Sequence, residues 1–479
     1  MVKNDPQNNS YYRVKPIFEK VLGALFGSLA VFHLLYTMSI YVMGSKYQPI
    51  ALKADRYMAL IALLALAAYV VLMVTQYRLY AKSTIVSYIR QIFSGGNLWL
   101  TVLFIWYLIG CIVLCARIGG KIFTMNDRLL LDVVISFFVL YMFPWNRKTY
   151  DWFIHILMLV ETVFMVWVLY NTFKLNILKV PGGQIGMSKG YSLTIACNSN
   201  TTGAFAAAFL MLALYMISAQ EGIVRVAYVV AALIQLFPLY LSNSRTAYLA
   251  CVIAVAAAGF FLVYRKYTGK HKVVLALGCG LLCGAALYFL RYAVFTLFDG
   301  VTHLSEQQNS DGIRDVDLSN ASGRIPIWKA AVKGMFLSSE IFMVGATPAR
   351  VEAVLGYVLN KENFMMYTHN QFLQIGVAFG IPGLIFYCIW LLKTAKQCWK
   401  VAFHGRYWVI ACMVLMLVMA NLTESYLVAY FYFCGSVFFL VCGMIRSEAA
   451  ELCASNETRP QKPTRKKEAP SNKKNKKNK

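Results

Sequence analysis

Acidic residues are scarce in this sequence: 21 Asp and Glu stand against 46 Lys and Arg, and all charged residues together make up only 14% of the 479 residues. An ordinary soluble domain carries nearer a quarter. With 59% hydrophobic residues, so little charge excludes that class and points to a polytopic membrane protein. Other absences narrow the reading. No small-residue cleavage pattern follows the first hydrophobic run, Val21 to Met43, so that run is expected to stay as a spanning helix. The 12 cysteines show neither metal-type nor disulfide-type pairing; most of them (Cys111, Cys115, Cys251, Cys279, Cys283, Cys412, Cys434 and Cys442) sit inside hydrophobic runs, as small packing residues do. No glycine-rich phosphate cradle occurs, so no cofactor is implied.

What is abundant is positive charge. A net charge of +25 in a soluble protein would suggest nucleic acid. Here it collects in short loops and in the low-complexity Lys/Asn/Pro tail from Arg459 to Lys479. That tail reads as disordered, cytoplasmic and attracted to anionic lipid, and no nucleic-acid partner is expected.

Apolar runs of roughly 17 to 25 residues mark about a dozen spanning helices. They are Val21 to Met43, Met58 to Tyr77, Leu98 to Cys115, Leu129 to Phe143, Trp152 to Phe173, Gly203 to Ser218, Ile223 to Leu241, Thr246 to Tyr264, Val273 to Val294, Gln371 to Leu392, Trp408 to Leu422 and Leu427 to Ile445. Lys and Arg favour cytoplasmic loops. Placing Lys3, Arg13, Lys15 and Lys20 inside also places inside the clusters Arg78/Lys82/Arg90, Arg147/Lys148, Arg265/Lys266/Lys270/Lys272 and Lys393/Lys396/Lys400/Arg406; the loop with Arg117, Lys121 and Arg128 runs against the rule. The resulting plan is an all-α polytopic protein. It has a cytoplasmic N-terminus (1–20), nine helices (21–294), an extracytoplasmic catalytic loop (295–370), three more helices (371–445) and a basic cytoplasmic tail (446–479).

The longest polar interruption lies within Ala321 to Phe386. It opens Ser322-Gly323-Arg324-Ile325-Pro326-Ile327-Trp328, continues as an amphipathic segment, turns at Val344-Gly345-Ala346-Thr347-Pro348 and closes with Thr368-His369-Asn370. On the topology above, Arg245, Arg324 and His369 collect at the outer face. Arg245 and His369 each stand where a spanning helix begins, so two positive dipole ends would point at one place. Helix-start amides and planar guanidinium groups suit a pyrophosphate. The same positive surroundings would disfavour imidazolium, leaving His369 able to take a proton from a hydroxyl.

Blander readings stand beside these. Arg245 can snorkel to headgroups, Arg324 can anchor an interfacial helix, and His369 can be a capping residue. Glu161 lies inside a hydrophobic run and needs a partner. Asp311, Arg314, Asp315 and Asp317 read as a solvated face. Asn421, Glu424 and the Asn200-Thr201-Thr202 helix start are placed to contact a sugar. Only Asp55 is acidic in the first outer loop, which gives little support to metal-bound lipid-phosphate chemistry.

Ser244-Arg245 before a helix, Arg324 with Trp328 four residues on, Val344-Gly345-Ala346, and His369-Asn370 with Leu373 followed by Gly380-Ile381-Pro382-Gly383 occur in that order. This set resembles the O-antigen ligase and O-antigen polymerase superfamily of bacterial envelope glycosyltransferases, over roughly the second half of the chain. The resemblance implies a GT-C-like fold of about a dozen helices in the bacterial cytoplasmic membrane, with both termini cytoplasmic and the active site outside. It implies a metal-independent, inverting transfer of oligosaccharide from an undecaprenyl-pyrophosphate donor to an acceptor glycan hydroxyl. By position, Arg245 and Arg324 look like the pyrophosphate-binding arginines and His369 like the base. Asn200, Trp328, Asn370 and Glu424 are possible substrate contacts. Further expected partners are membrane lipids, a flippase and a chain-length regulator. Ala346 departs from the family pattern, where a second glycine is common, and so does the basic tail.

Two activities share that site: a polymerase joining lipid-linked repeat units, which the modest loop favours, and a ligase moving finished glycan to lipid A core or another acceptor. A transporter of lipid-linked polysaccharide would call for repeated halves and charges near the midplane. No repeat is visible, and the polar residues gather at one surface. A cell-wall polymerase of the shape-and-division type would need its acidic residue among Asp311, Asp315 and Asp317.

Overall fold

The computed structural model describes residues 27–31, 33–35, 97–118, 136–142, 145–180, 183–188, 192–196, 199–302, 324–361, 367–425 and 433–457. The expected span from Met58 to Tyr77, most of that from Leu129 to Phe143, the Asp311 to Asp317 run, the N-terminal segment and the Lys-rich tail lie outside them. Helices dominate: α1 (Asn97–Ile118), α2 (Arg147–Phe173), α3 (Ser199–Ala219), α4 (Gly222–Leu241), α5 (Arg245–Lys266), α6 (Lys272–Thr302), α7 (Arg324–Met335), α8 (Ser339–Val344), α9 (Val351–Leu359), α10 (Gln371–His404), α11 (Trp408–Ala420) and α12 (Phe433–Glu457). Among the described residues, seven of these are long and apolar enough to cross a membrane: α1 to α6 and α10. The protein is an all-α polytopic membrane protein, as the apolar runs required.

The helices sort by what surrounds them. On α3, almost every residue from Thr201 to Met216 is buried, and α3 packs against α4, α5, α11 and α12. A helix apolar all round belongs at the centre, and its run Ala206-Ala207-Ala208 lets neighbours approach closely. By contrast, α6 leaves Leu281, Leu282 and Phe289 exposed. Those side chains face what lipid would fill, and in lipid an exposed leucine carries no penalty.

Four departures from the sequence reading matter. First, Leu178–Val180, Gly183–Ser188 and Ser192–Ala196 form a three-stranded antiparallel sheet, β1 to β3, with Ile185 paired to Leu178 and to Ile195. Ile185, Leu193 and Ile195 are buried, an alternation too short to stand out in a polar connection. Second, α6 runs on to Thr302 rather than stopping at Val294. Third, α11 stops at Ala420, and α12 runs past Ile445 to Glu457. This extension is tied down: Glu448 accepts from the amides of Arg406 and Tyr407, and the Arg446 guanidinium donates to the carbonyls of Tyr141 and Met142.

Fourth, α10 is broken. Gly380 has φ 73 and ψ 178 inside the helix, two residues before Pro382. A break frees carbonyls, and inside a membrane they must find donors within the protein. The turn after α8 supplies them: the Ala346 amide donates to Val377 O at 2.8 Å and the Thr347 amide to Ala378 O at 3.0 Å. Gly345 (φ 78) and Gly380 leave no room at this meeting, since a Cβ on either would collide with the other segment's backbone. Two separate sequence signatures are therefore one lock. Ala346 needs only its amide there, so the missing second glycine is no obstacle.

Candidate active site

From α2 to α6 and on to α10, successive spans run in opposite directions: Phe173 at the end of α2 packs on Phe298 near the end of α6, and at the opposite end Arg265 donates to the carbonyls of Ala402 and Gly405. The ends of α2, α4 and α6 and the starts of α3, α5, α7 and α10 therefore lie at one end of the bundle, and the basic clusters at Arg265–Lys272 and Lys393–Arg406 at the other. Close packing shows the first part directly: a Cβ on Gly203 of α3 would strike the side chains of Ser242 and Ser244, just ahead of α5. Helix starts expose unpaired amides and carry the positive dipole end.

Three segments build the site. Asn370 caps α10, its side-chain oxygen accepting from the Leu373 amide at 3.0 Å. Its Nδ2 donates to Leu422 O at 2.8 Å, and the Gln371 amide donates to Asn421 O at 2.9 Å. The start of α10 is thereby stitched to the turn after α11. The Thr368 amide donates to Gln374 Oε1 at 3.0 Å. Between those two anchors His369 is held with φ 51, a left-handed backbone that non-glycine residues adopt rarely and that concentrates at functional sites. From α7, Trp328 Nε1 donates to Thr368 O at 3.0 Å, so Trp328 braces the histidine segment.

At the centre is Glu424, 2% exposed. Its Oε1 accepts from Arg324 at 2.6 Å and from Asn200 Nδ2 at 2.8 Å. Its Oε2 accepts from the Tyr367 hydroxyl at 2.8 Å and lies 3.2 Å from His369 Nδ1. The Arg324 guanidinium also donates to Thr423 O. The Tyr367 and His369 rings lie against each other, tilted by 37° with centroids 4.2 Å apart. Burial alone would push the Glu424 carboxyl up. The bonds from His369 and Tyr367 and the charge of Arg324 outweigh it and hold the group below the usual carboxylate range. At ordinary pH Glu424 is an ionised acceptor.

Of the residues singled out in the sequence, Asp55, Asp311, Arg314, Asp315 and Asp317 lie outside the described residues. Arg324, His369, Asn200 and Glu424 form one bonded cluster. Trp328 and Asn370 hold its scaffold. Arg245 is half-buried at the first position of α5, and that helix start is tied to the same turn, since Thr423 Oγ1 donates to Thr246 Oγ1 at 2.7 Å. Glu424, a possible sugar contact by sequence, is buried here, and both its oxygens accept from protein donors. Sequence reasoning missed Tyr367 and Thr423 altogether. The one signal available was a charged residue at the end of an apolar run, which needs a partner, though nothing in the sequence says which. Glu161 also has its partner, Gln235 Nε2 at 2.7 Å, away from this cluster.

Chemically, Arg245 and Arg324 beside several helix starts offer a seat for an anion, and an imidazole stands next to it. Among the described residues no group of three or more His, Cys, Asp or Glu side chains is arranged to hold a metal ion. A search of curated proteins finds no match. Residues 230–388 match the family model described as O-antigen ligase. The matched stretch contains Arg245, Arg324, Trp328, His369 and Asn370, as well as the Gly345–Gly380 lock. These residues of the chain form a domain of the O-antigen ligase family.

Proposed function

We propose that this protein is a membrane glycosyltransferase that moves an oligosaccharide from undecaprenyl pyrophosphate to an acceptor glycan hydroxyl, joining repeat units of a surface polysaccharide. The observation that carries the reading is the pairing of Arg324 and His369 on one buried carboxylate, beside the helix start that bears Arg245. In this reading the site faces outward from the bacterial cytoplasmic membrane, and the basic loops and both termini face the cytoplasm.

Pyrophosphate is already a good leaving group. The arginines and helix-start amides hold its oxygens and take up the charge that develops as the sugar C1–O bond breaks, with the electron pair leaving on the pyrophosphate oxygen. The acceptor hydroxyl forms the new O–C1 bond from the opposite face, inverting the anomeric carbon. His369 Nε2 receives its proton. Holding donor, acceptor and base together supplies much of the rate enhancement, and no metal enters the scheme.

The description of the matched family, O-antigen ligase, favours a second reading with the same site: transfer of finished glycan to lipid A core or another acceptor. One experiment addresses both. Purified protein in nanodiscs is given a lipid-pyrophosphate-linked repeat unit, with and without chelator, beside His369→Ala and Arg324→Ala variants. Released undecaprenyl pyrophosphate and glycan length are then measured. A chelator-resistant ladder lost in both variants supports the polymerase. A single transfer that needs an added acceptor supports the ligase. Full activity in the variants removes this site from the chemistry.

A further inference from the structure

Resting on the glycosyl-transfer reading, we propose that Glu424 is the positioning residue for the base: it fixes the tautomer and direction of His369 and couples them to Arg324. It touches no substrate in this scheme. Glu424 Oε2 lies 3.2 Å from His369 Nδ1, and an ionised carboxylate can only accept, so Nδ1 carries the proton. In the neutral ring Nε2, on the far side, then holds the free electron pair. Once Nε2 has taken the acceptor's proton, the imidazolium faces a carboxylate already in place, with no group left to reorganise.

The carboxylate itself is fixed from several directions. Asn200 on α3, Arg324 on α7 and Tyr367 before α10 all donate to it. The residue before it, Thr423, accepts from Arg324 and donates to Thr246 on α5. One side chain thus sets the distance between the group that takes the proton and a group that holds the leaving pyrophosphate. The family match ends at residue 388, so Glu424 lies outside the matched stretch. The titratable and charged groups facing His369 and Glu424 in this cluster are Arg324 and Tyr367.

A merely structural ion-pair hub would lose stability on substitution without moving the base's titration, and this separates the two roles. The test uses the full chain in nanodiscs with a lipid-pyrophosphate-linked repeat unit. Glu424→Gln keeps the shape and removes the charge. We expect kcat to fall by roughly 10² to 10⁴, the range seen when the acidic partner of a catalytic histidine is neutralised, with KM changed by less than about threefold. The acid limb of the kcat/KM profile should move to lower pH, because an imidazolium without its carboxylate is less stable. Tyr367→Phe keeps the ring against His369 but removes one donor from the carboxylate, so its limb should move to higher pH. Adding Glu424→Gln to His369→Ala should slow the enzyme no further. The proposal is overturned if Glu424→Gln keeps wild-type kcat, or loses activity with its acid limb unmoved. Should that variant fail to fold, the Tyr367→Phe limb decides: an upward shift supports the proposal and an unmoved limb overturns it. Failure of the functional reading looks different. It appears as absence of transfer by the wild type, or full rate in His369→Ala, and takes this proposal with it.

Discussion

Asn200 and Glu424 stand 224 positions apart in the chain and meet at 2.8 Å, the amide nitrogen of one donating to the carboxylate of the other. This bond joins the start of the central helix α3 to the turn after α11. Replacing Asn200 by Ala leaves a buried carboxylate with one donor fewer, and hydrogen bonds to charged groups are worth about 1.5–3 kcal/mol. We expect a lower thermal midpoint in detergent and a several-fold loss of transfer activity. Asn200→Asp should be worse than Ala, because it sets two carboxylates against each other. A midpoint unchanged in both variants would show that the bond contributes nothing.

The course of the helices was legible because a bilayer demands long apolar runs, and such runs are local. Arg245, Arg324 and His369 were legible for a similar reason, each being a polar residue at the edge of a run. Their common partner was not. Whether Glu424 faces a sugar or a guanidinium depends on how α3, α7, α10 and α11 pack, and no spacing within 421–425 encodes that. The sheet at 178–196 escaped because its buried residues, Ile185, Leu193 and Ile195, are few and scattered among polar ones. The Gly345 and Gly380 signatures were both visible, but their meaning needed the contact between them.

The Glu424 carboxyl is held below its ordinary value of about 4.5, which ties stability to pH. A group with a depressed folded pKa contributes stability that is fully present above the unfolded value and is lost as pH falls through the folded one. The wild-type thermal midpoint should therefore be level near neutrality and fall as pH drops below about 4.5. Glu424→Gln, which has no carboxyl to protonate there, should show a flatter acid branch. Parallel branches for the two proteins would mean that other carboxylates govern acid stability.

Removing Arg324 alone should be more harmful to the fold than removing the pair. Breaking a buried ion pair at one partner leaves an uncompensated charge and typically costs 3–5 kcal/mol. Glu424 is 2% exposed, so Arg324→Ala falls in that class, softened by the Asn200 and Tyr367 donors that remain. Arg324→Ala with Glu424→Gln should recover part of the lost thermal midpoint and none of the activity. A double variant less stable than either single variant would contradict this account.

The helix α10 breaks at Gly380. Gly380 sits at φ 73 and ψ 178, a region open essentially to glycine alone, where another residue is strained by about 1–3 kcal/mol. An added Cβ would also strike the Met343 carbonyl and push apart the two segments that satisfy the carbonyls of Val377 and Ala378. Gly380→Ala should thus lower the midpoint by more than strain alone explains. It should also displace His369 through the start of α10, lowering kcat. Pro382→Ala is the control, since it follows the break, where the first turn of the resumed helix has no use for an amide donor. It should stay within about 1 kcal/mol of wild type. If Gly380→Ala proves as mild as Pro382→Ala, the break is not held by the turn after α8.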